Sequence, residues 1–326
     1  MLKNIVPTLL LAFSAFSVNA EVIYLTGRHY DGYYSGNTFH ITTPVTPGIF
    51  ALDEHGFSQV ADSAYRRIAY DPMGNALFAT GMLNSSGQDV FTGNIVKYRV
   101  SDFSVVDSDF GIGGPGCSRI DDIDVNGNGL LVSLCNYGNY SSSYDQASVY
   151  STLTGTYQGG VSGRYYDVAI SNKRVYLSGL KQLYRTDAWP PRVLEQPYTH
   201  SLVGNTIPAF IDVDRFGYLY AYDPNDKAVY KYDPDGYFVS VLAAGFSVVD
   251  MQVENDFLYV LGNSSPGAET ITKFSLDGTL QSETLLSGYY SGIAVVPTPI
   301  PASLWLFASG LLGILGWRSH RRPHPQ

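Results

Sequence analysis

Three aspartates occupy matching positions, each directly before an alternating apolar segment. They are Asp122, Asp167 and Asp250, and the residue after each is Ile, Val or Met. If the fold brings them together, their carboxylates would suit Ca²⁺ or Mg²⁺, because both cations prefer oxygen ligands. The alternative is a structural role, since an aspartate beside a strand often accepts hydrogen bonds from backbone or turn N–H groups.

Two segments are rich in Tyr, Ser, Gly and Asn and are predicted to be ligand-binding loops. Tyr offers a broad rigid contact area with one polar tip, while the small polar residues adapt to a partner. Aromatic faces beside hydroxyls and amides also suit sugars, and ordinary solvated loops are the alternative. In residues 27–38 and 136–147 the candidate binding residues are Tyr30, Tyr33, Tyr34, Tyr137, Tyr140 and Tyr144.

The chain has two cysteines, Cys117 and Cys135. Cys117 precedes one predicted strand, and Cys135 ends the antiparallel strand that follows it. Both cysteines therefore lie at the same end of one predicted sheet. We predict a structural disulfide between them. In the chain-entropy model it would stabilise the fold by roughly 3 kcal/mol.

No catalytic motif is recognisable. The histidines of residues 21–296 are His29, His40, His55 and His200. None of them forms a metal-ligand pair at helical or hairpin spacing. There is no Gly-x-Ser-x-Gly sequence and no phosphate-binding loop. The sequence therefore assigns no catalytic residue and favours a binding protein. A metal-dependent hydrolase or lyase that uses the three aspartates is the competing hypothesis.

The elements that position these residues recur along the chain. A repeating unit begins at residues 68, 123, 168, 211 and 251. It consists of an apolar strand, a turn with Asn, Asp or Gly, and a second strand rich in Leu, Tyr and Val. The spacings of 55, 45, 43 and 40 residues match a four-stranded propeller blade. Asp-Gly turns between alternating segments indicate the second hairpin of several blades.

A sixth blade is predicted to form from both ends of the body. Residues 287–295 resemble an inner strand without its partner, and residues 22–27 resemble the missing partner. Pairing them closes a ring and removes exposed edges. We therefore predict an all-β, six-bladed propeller closed by N- and C-terminal strands in one blade; a β-sandwich or another blade number is the alternative. The residues before the six inner strands are Arg67, Asp122, Asp167, Phe210, Asp250 and Gly292. The repeats resemble those of NHL-type and lactonase-type propellers.

Residues 1–20 have the features of a secretory signal peptide. Lys3 precedes the apolar run from Leu9 to Phe13, and Val18-Asn19-Ala20 places small residues where signal peptidase reads. We expect cleavage after Ala20 and export, with a buried N-terminal helix as the alternative.

Residues 297–326 are predicted to form a sorting tail. The uncharged run 304–317 is 14 residues long, short for a membrane-spanning helix, and basic residues after it are expected to stay cytoplasmic. A Pro-rich entry, Trp-Leu-Phe, Ser-Gly-Leu-Leu-Gly and an Arg cluster resemble the PEP-CTERM sorting signal, although Ile300 stands where that family has Glu. The residues that carry the resemblance include Pro297, Pro299, Pro301, Trp305, Arg321 and Arg322.

The PEP-CTERM resemblance implies processing by an exosortase in a Gram-negative bacterium, transient membrane anchoring through the C-terminal hydrophobic helix, and then the cell surface or medium. A plain C-terminal anchor is the alternative. Exosortase systems accompany exopolysaccharide production, so the expected partner is a matrix glycan or protein. Between the two ends, residues 21–296 contain 16 Lys and Arg against 29 Asp and Glu. This acidic surface makes nucleic acid an unsuitable partner.

Overall fold

The structure is a computed structural model, and it describes residues 21–30, 32–35, 38–81, 94–111, 117, 119–136, 145–171, 174–179, 182–187, 209–265 and 268–297. These residues form β-strands joined by turns. In chain order the strands are β1 (Glu21–His29), β2 (Gly32–Ser35), β3 (Thr38–Ile41), β4 (Thr46–Asp53), β5 (Gly56–Ala61), β6 (Arg67–Asp71), β7 (Ala76–Thr80), β8 (Ile95–Arg99), β9 (Val105–Phe110), β10 (Arg119–Val125), β11 (Leu130–Asn136), β12 (Asp145–Ser151), β13 (Tyr157–Gly163), β14 (Tyr165–Ile170), β15 (Arg174–Gly179), β16 (Gln182–Asp187), β17 (Phe210–Val213), β18 (Leu219–Asp223), β19 (Ala228–Tyr232), β20 (Phe238–Ala244), β21 (Ser247–Glu254), β22 (Phe257–Ser265), β23 (Ala268–Ser275), β24 (Leu280–Ser287) and β25 (Tyr289–Pro297).

Six sheets follow one another along the chain, and each is numbered here as a blade. Blade 1 is β6-β7-β8-β9, blade 2 is β10-β11-β12-β13, blade 3 is β14-β15-β16, blade 4 is β17-β18-β19-β20 and blade 5 is β21-β22-β23-β24. Blade 6 has the order β25-β1-β4-β5 and so contains strands from both ends of the body. The prediction of an all-β, six-bladed propeller is confirmed.

The propeller is one compact unit from Ile23 to Val296. The predicted signal peptide and all of the predicted sorting tail after Pro297 lie outside the described residues, whereas Pro297 itself ends β25. Within the described part of the chain, no helix has the length and apolarity that crossing a membrane requires.

Aspartate and asparagine side chains close many of the hairpin turns. In each case the side-chain oxygen accepts a hydrogen bond from the backbone N–H two residues later, as in an Asx turn. Glycine with a left-handed backbone completes several of these turns, for example Gly236 at φ 89° and Gly278 at φ 93°. The turns capped in this way begin at Asp53, Asp71, Asn126, Asp214, Asp223, Asp233 and Asp277.

The hydrophobic core lies between neighbouring blades. Tyr176 of blade 3, for example, packs in one buried cluster with Ile211 and Leu219 of blade 4. Cations on third strands add links between blades. Lys231 Nζ donates to the carbonyl oxygen of Leu276 in blade 5 at 3.2 Å, and Lys97 and Arg185 make equivalent bonds to the blade that follows each of them.

Candidate binding site

The first strand of each blade lines a central channel. We call the end of the channel where these inner strands begin the funnel mouth. The three predicted aspartates do come together there, because Asp122, Asp167 and Asp250 all line one cavity just inside the mouth. Arg67 of blade 1 lines the same cavity.

Arg67 is buried and held from several sides. Its Nε lies 3.2 Å from Asp122 Oδ1, its guanidinium lies over the Phe210 ring at 5.3 Å, and Nη1 donates to the carbonyl oxygens of Arg66 and Ser291. Burial alone would lower the pKa of Arg67, but the surrounding carboxylates raise it, so the guanidinium stays charged.

Each junction between neighbouring inner strands is bridged by one of these polar side chains. Most of the carboxylates accept a hydrogen bond from a backbone N–H group of the next blade, so they link neighbouring blades around the ring. Around the ring the links are Arg67 Nε to Asp122 Oδ1 (3.2 Å), Val168 N to Asp122 Oδ2 (2.9 Å), Ile211 N to Asp167 Oδ2 (2.6 Å), Val253 N to Asp212 Oδ2, Ile293 N to Asp250 Oδ2 (2.9 Å) and Arg67 Nη1 to the carbonyl oxygen of Ser291.

A second layer of polar side chains lies two residues further into the channel. Asp124 Oδ2 accepts the N–H of Ile170 at 2.7 Å, and Gln252 Oε1 accepts the N–H of Val295 at 2.6 Å. Asp212 belongs to this layer as well. This layer is not among the residues predicted from the sequence, although the same alternation that places Asp122 in the channel also places Asp124 there.

The channel carboxyls hold protons more tightly than ordinary aspartates. Burial raises the pKa of Asp124 to about 7 and of Asp250 to about 6. Burial also raises the pKa of Asp167 well above its usual range, and the negative charge of Asp122 raises it further. Burial raises the pKa of Asp122 as well, but the charge of Arg67 acts against that rise. The shifts therefore favour a proton on Asp167, which would donate it to the Asp122 carboxylate.

These residues do not fit a Ca²⁺ or Mg²⁺ site. Calcium takes six to eight oxygen ligands, whereas both oxygens of Asp122 and of Asp250 already have partners, which are Arg67 and backbone N–H groups. Across the described residues, no group of three or more His, Cys, Asp and Glu side chains is arranged to hold a metal. The volume that water can enter is about 30 Å³, which is room for two or three waters.

The mouth itself is more open. In blades 2, 3 and 5 the inner strand has a β-bulge directly before the channel aspartate, at Asp121, Tyr166 and Val249. A bulge re-aims side chains at the end of a strand. Tyr166 and Tyr289, which begins β25, are about half exposed.

Two arginines share a carboxylate at the mouth. Arg66 Nη1 lies 3.2 Å from Asp121 Oδ1, and Arg119 contacts the same carboxylate through Nε at 2.6 Å and Nη2 at 2.9 Å. We refer to Arg66, Asp121 and Arg119 as the mouth triad. These three residues are not among those predicted from the sequence, because neither the bulge nor the contact between blades 1 and 2 can be seen in the residue pattern.

The segment 27–38 is not the single loop that the sequence predicted. Residues 27–29 belong to β1, and β2 pairs with β3 as a separate hairpin with Tyr33 opposite His40. Two residues, Gly36-Asn37, separate these strands, which is a hairpin signal. Tyr30 follows β1, Tyr33 and Tyr34 lie in β2, and Tyr137, Tyr140 and Tyr144 lie outside the described residues.

Cys117 and Cys135 form a disulfide with their Cα atoms 5.7 Å apart. Cys135 is opposite Ile120 in the β10–β11 ladder. The bond therefore ties the segment that enters β10, directly before Arg119, to the neighbouring strand.

No family model matches this chain, and no curated protein does, so the tail resemblance to PEP-CTERM signals rests on its residues alone. Solved structures share the fold. A chain of the nidogen/laminin complex has 10% identity and a TM-score of 0.56 over 85% of this chain and 97% of its own. A protein of unknown function from Bacteroides caccae has 9% identity and a TM-score of 0.51 over 86% and 100%. Apo AztD from Citrobacter koseri has 10% identity and a TM-score of 0.44 over 86% and 98%.

Proposed function

We propose that this chain is an exported, non-enzymatic binding propeller whose funnel mouth receives a glycan or protein of the extracellular matrix. The observation that carries the proposal is the contrast between the channel and its mouth. The channel side chains bind one another and the backbone, as in a structural centre. By contrast, four longer connections between described strands begin and end at the mouth.

The lengths of the connections support this choice of surface. Four segments that join strands at the mouth, 30–45, 81–94, 111–118 and 137–144, are 8 to 16 residues long. The turns within blades at the opposite end are at most five residues long among the described strands. Long connections on a rigid scaffold are where binding residues concentrate.

Both ends of the described body lie at the end of the propeller opposite the mouth. The inner strand β25 begins at the mouth and reaches Pro297 at the opposite end, where β1 also begins. We propose that residues 297–326 are a PEP-CTERM-like tail that anchors the protein until an exosortase acts.

The test uses the full chain in mild detergent with glycan arrays and with matrix extracts. We expect a glycan or protein to bind, and replacement of residues 137–144 by a short Gly-Ser turn to abolish binding. Replacement of the opposite-end turn 100–104 by a turn of equal length is the matched control and should leave binding intact. Failure of every glycan and matrix protein to bind, with both variants folded, would overturn the proposal.

The tail has its own test in the native host. We expect the protein to leave the membrane with a mass lower than that of the chain from residue 21 to residue 326. Replacement of Arg321 and Arg322 by Gln should retain the uncleaved form. Full-length protein that stays in the membrane regardless would show a plain anchor.

A further inference from the structure

We propose that β20, the outer strand of blade 4, pairs antiparallel with β20 of a second copy of this chain and forms a two-fold dimer. This inference goes beyond the proposed function and does not depend on the ligand at the mouth. It draws on the edge of β20, on its exposed apolar side chains and on the charges at its two ends.

The outer edge of β20 is available for strand pairing. Among the described strands, β20 pairs with β19 alone and ends the sheet β17-β18-β19-β20. An edge strand presents backbone N–H and C=O groups to which a further strand can add. The sequence of β20, Phe-Val-Ser-Val-Leu-Ala-Ala, contains no charge, proline or glycine, so no residue in it opposes such an addition.

Exposed apolar side chains are concentrated at the start of this strand. Tyr237, Phe238, Val239 and Val241 are between 45% and 55% exposed. Four of five consecutive residues therefore hold large apolar groups in solvent. Contiguous apolar surface of this kind is typical of a contact with another protein, whereas single exposed apolar residues are ordinary.

The other described outer strands have features that discourage edge pairing or offer less apolar surface. Strand β9 contains Asp107 and Asp109, β24 contains Glu283, and β13 contains three glycines. In β5, Phe57 is the one large apolar side chain that is exposed. Charges and irregular backbone at an edge act against pairing with another chain. The contrast selects β20 as the edge at which a partner strand adds.

The two ends of β20 carry opposite charges. Asp235 is exposed in the turn before the strand, and Lys227 is exposed beside the end of the strand, where its carbonyl oxygen accepts the N–H of Gly245 at 2.8 Å. Antiparallel pairing about a two-fold axis places the beginning of one β20 beside the end of the other. Each Lys227 then faces Asp235 of the second copy, and this complementarity favours a second copy over an unrelated strand.

A two-fold dimer also fits the charge and the twist of this region. Residues 21–296 contain 16 Lys and Arg against 29 Asp and Glu, so two copies repel each other where charged faces meet, and an uncharged edge avoids that repulsion. Bulges at Val239 and Leu242 interrupt the register between β19 and β20, and bulges increase the local twist. A short twisted edge suits one contact, and two-fold pairing uses the edge of both copies, so assembly stops at the dimer.

The first experiment measures the mass of the full chain in mild detergent by light scattering over a range of protein concentrations. We expect a dimer that dissociates on dilution, with slower amide exchange of residues 238–244 at high concentration than at low. Val241→Lys places two like charges near the two-fold axis and should weaken the dimer at least about tenfold. Val105→Lys, at a similarly exposed residue of β9, is the matched control and should leave dimerisation unchanged.

The second experiment exchanges the charges at the strand ends. Asp235→Lys and Lys227→Asp each place like charges together at both ends of the interface, so each variant alone should dimerise about tenfold more weakly than wild type. Aspartate tolerates the left-handed backbone at position 227, where φ is 52°. A mixture of the two variants restores both opposite-charge contacts and should form a mixed dimer as tight as the wild-type dimer.

A monomer at every concentration would overturn the inference. So would a dimer that Val241→Lys leaves unchanged, because its interface would lie elsewhere in the chain, or a mixture that dimerises no better than the single variants. These outcomes leave ligand binding at the mouth untouched, so failure of the dimer and failure of the proposed function are told apart.

Discussion

Arg67 and Asp122 form a buried ion pair across the junction between blades 1 and 2, with Nε 3.2 Å from Oδ1. The same guanidinium donates to the carbonyl oxygen of Ser291 in blade 6, so one side chain connects three consecutive blades. The centre that could have been a metal site is therefore occupied by a protein cation.

Replacing Arg67 by Met should destabilise the propeller by about 3 kcal/mol, because loss of one partner leaves a buried carboxylate without its counter-charge. The loss should be smaller at pH 5 than at pH 8, since Asp122 can then take up a proton. Urea unfolding measures both values. Arg215→Met, at an exposed ion pair, should change stability by less than about 0.5 kcal/mol. Equal losses in the two variants would contradict the role given to Arg67.

The channel carboxyls should make the protein more stable in mild acid than in mild base. The pKa of Asp124 is raised from 3.8 to about 7 and that of Asp250 to about 6. A group with a raised folded-state pKa gives stability that is fully present below its unfolded pKa and is lost as the pH rises through the folded value. We therefore expect the melting temperature to fall between pH 5 and pH 8, and a rise over that interval would contradict the assignment.

The variant Asp167→Asn tests whether Asp167 or Asp122 carries the proton that the two carboxyl groups share. The amide can donate to Asp122 and accept the N–H of Ile211, as the protonated carboxyl does. This variant should retain wild-type stability at pH 7 and lose less stability than wild type as the pH rises further. Asp122→Asn should instead be destabilising, because it removes the charge that faces Arg67. The reverse order in thermal unfolding would place the proton on Asp122.

The sequence predicted the positions of the inner strands well because their alternation and their Asp and Gly turns are local properties. It also brought Asp122, Asp167 and Asp250 to one channel, which needs only a correct repeat alignment. Arg67 is the only cation among the six residues that precede the inner strands in the sequence. That was the available signal for an ion pair with one of the aspartates. The bulges at Asp121 and Tyr166 depend on packing between blades, so single-residue patterns do not reveal them.

Calcium should neither copurify with the protein nor stabilise it. The oxygens of Asp122 and Asp250 are engaged by Arg67 and by backbone N–H groups, so a cation would have to displace those bonds. Elemental analysis of the purified chain and melting curves with millimolar Ca²⁺ or EDTA check this expectation. One bound calcium ion per chain that is lost in the Asp250→Ala variant would contradict this expectation and support the hypothesis of a metal-dependent hydrolase or lyase.

Reduction of the Cys117–Cys135 bond should lower the free energy of unfolding by roughly 3 kcal/mol, the chain-entropy value for a loop of this size. The double variant Cys117→Ala with Cys135→Ala reproduces the loss without a reductant. Wild-type protein in reductant and the double variant should unfold at the same urea concentration. A double variant as stable as the oxidised protein would show that the bond contributes nothing to the fold.

Lys231 should stabilise the junction between blades 4 and 5 although it lies on the third strand of its blade, away from the channel. Its Nζ donates to the carbonyl oxygen of Leu276 at 3.2 Å and lies 4.7 Å from the centre of the Tyr218 ring. Lys231→Met keeps the aliphatic stem but removes both contacts, so a loss of about 1–2 kcal/mol is expected in urea unfolding. Lys227→Met, in an exposed turn of the same blade, is the matched control and should have little effect. If the two variants unfold alike, the third-strand cations are surface charges and the blades are held by the channel and the apolar core alone.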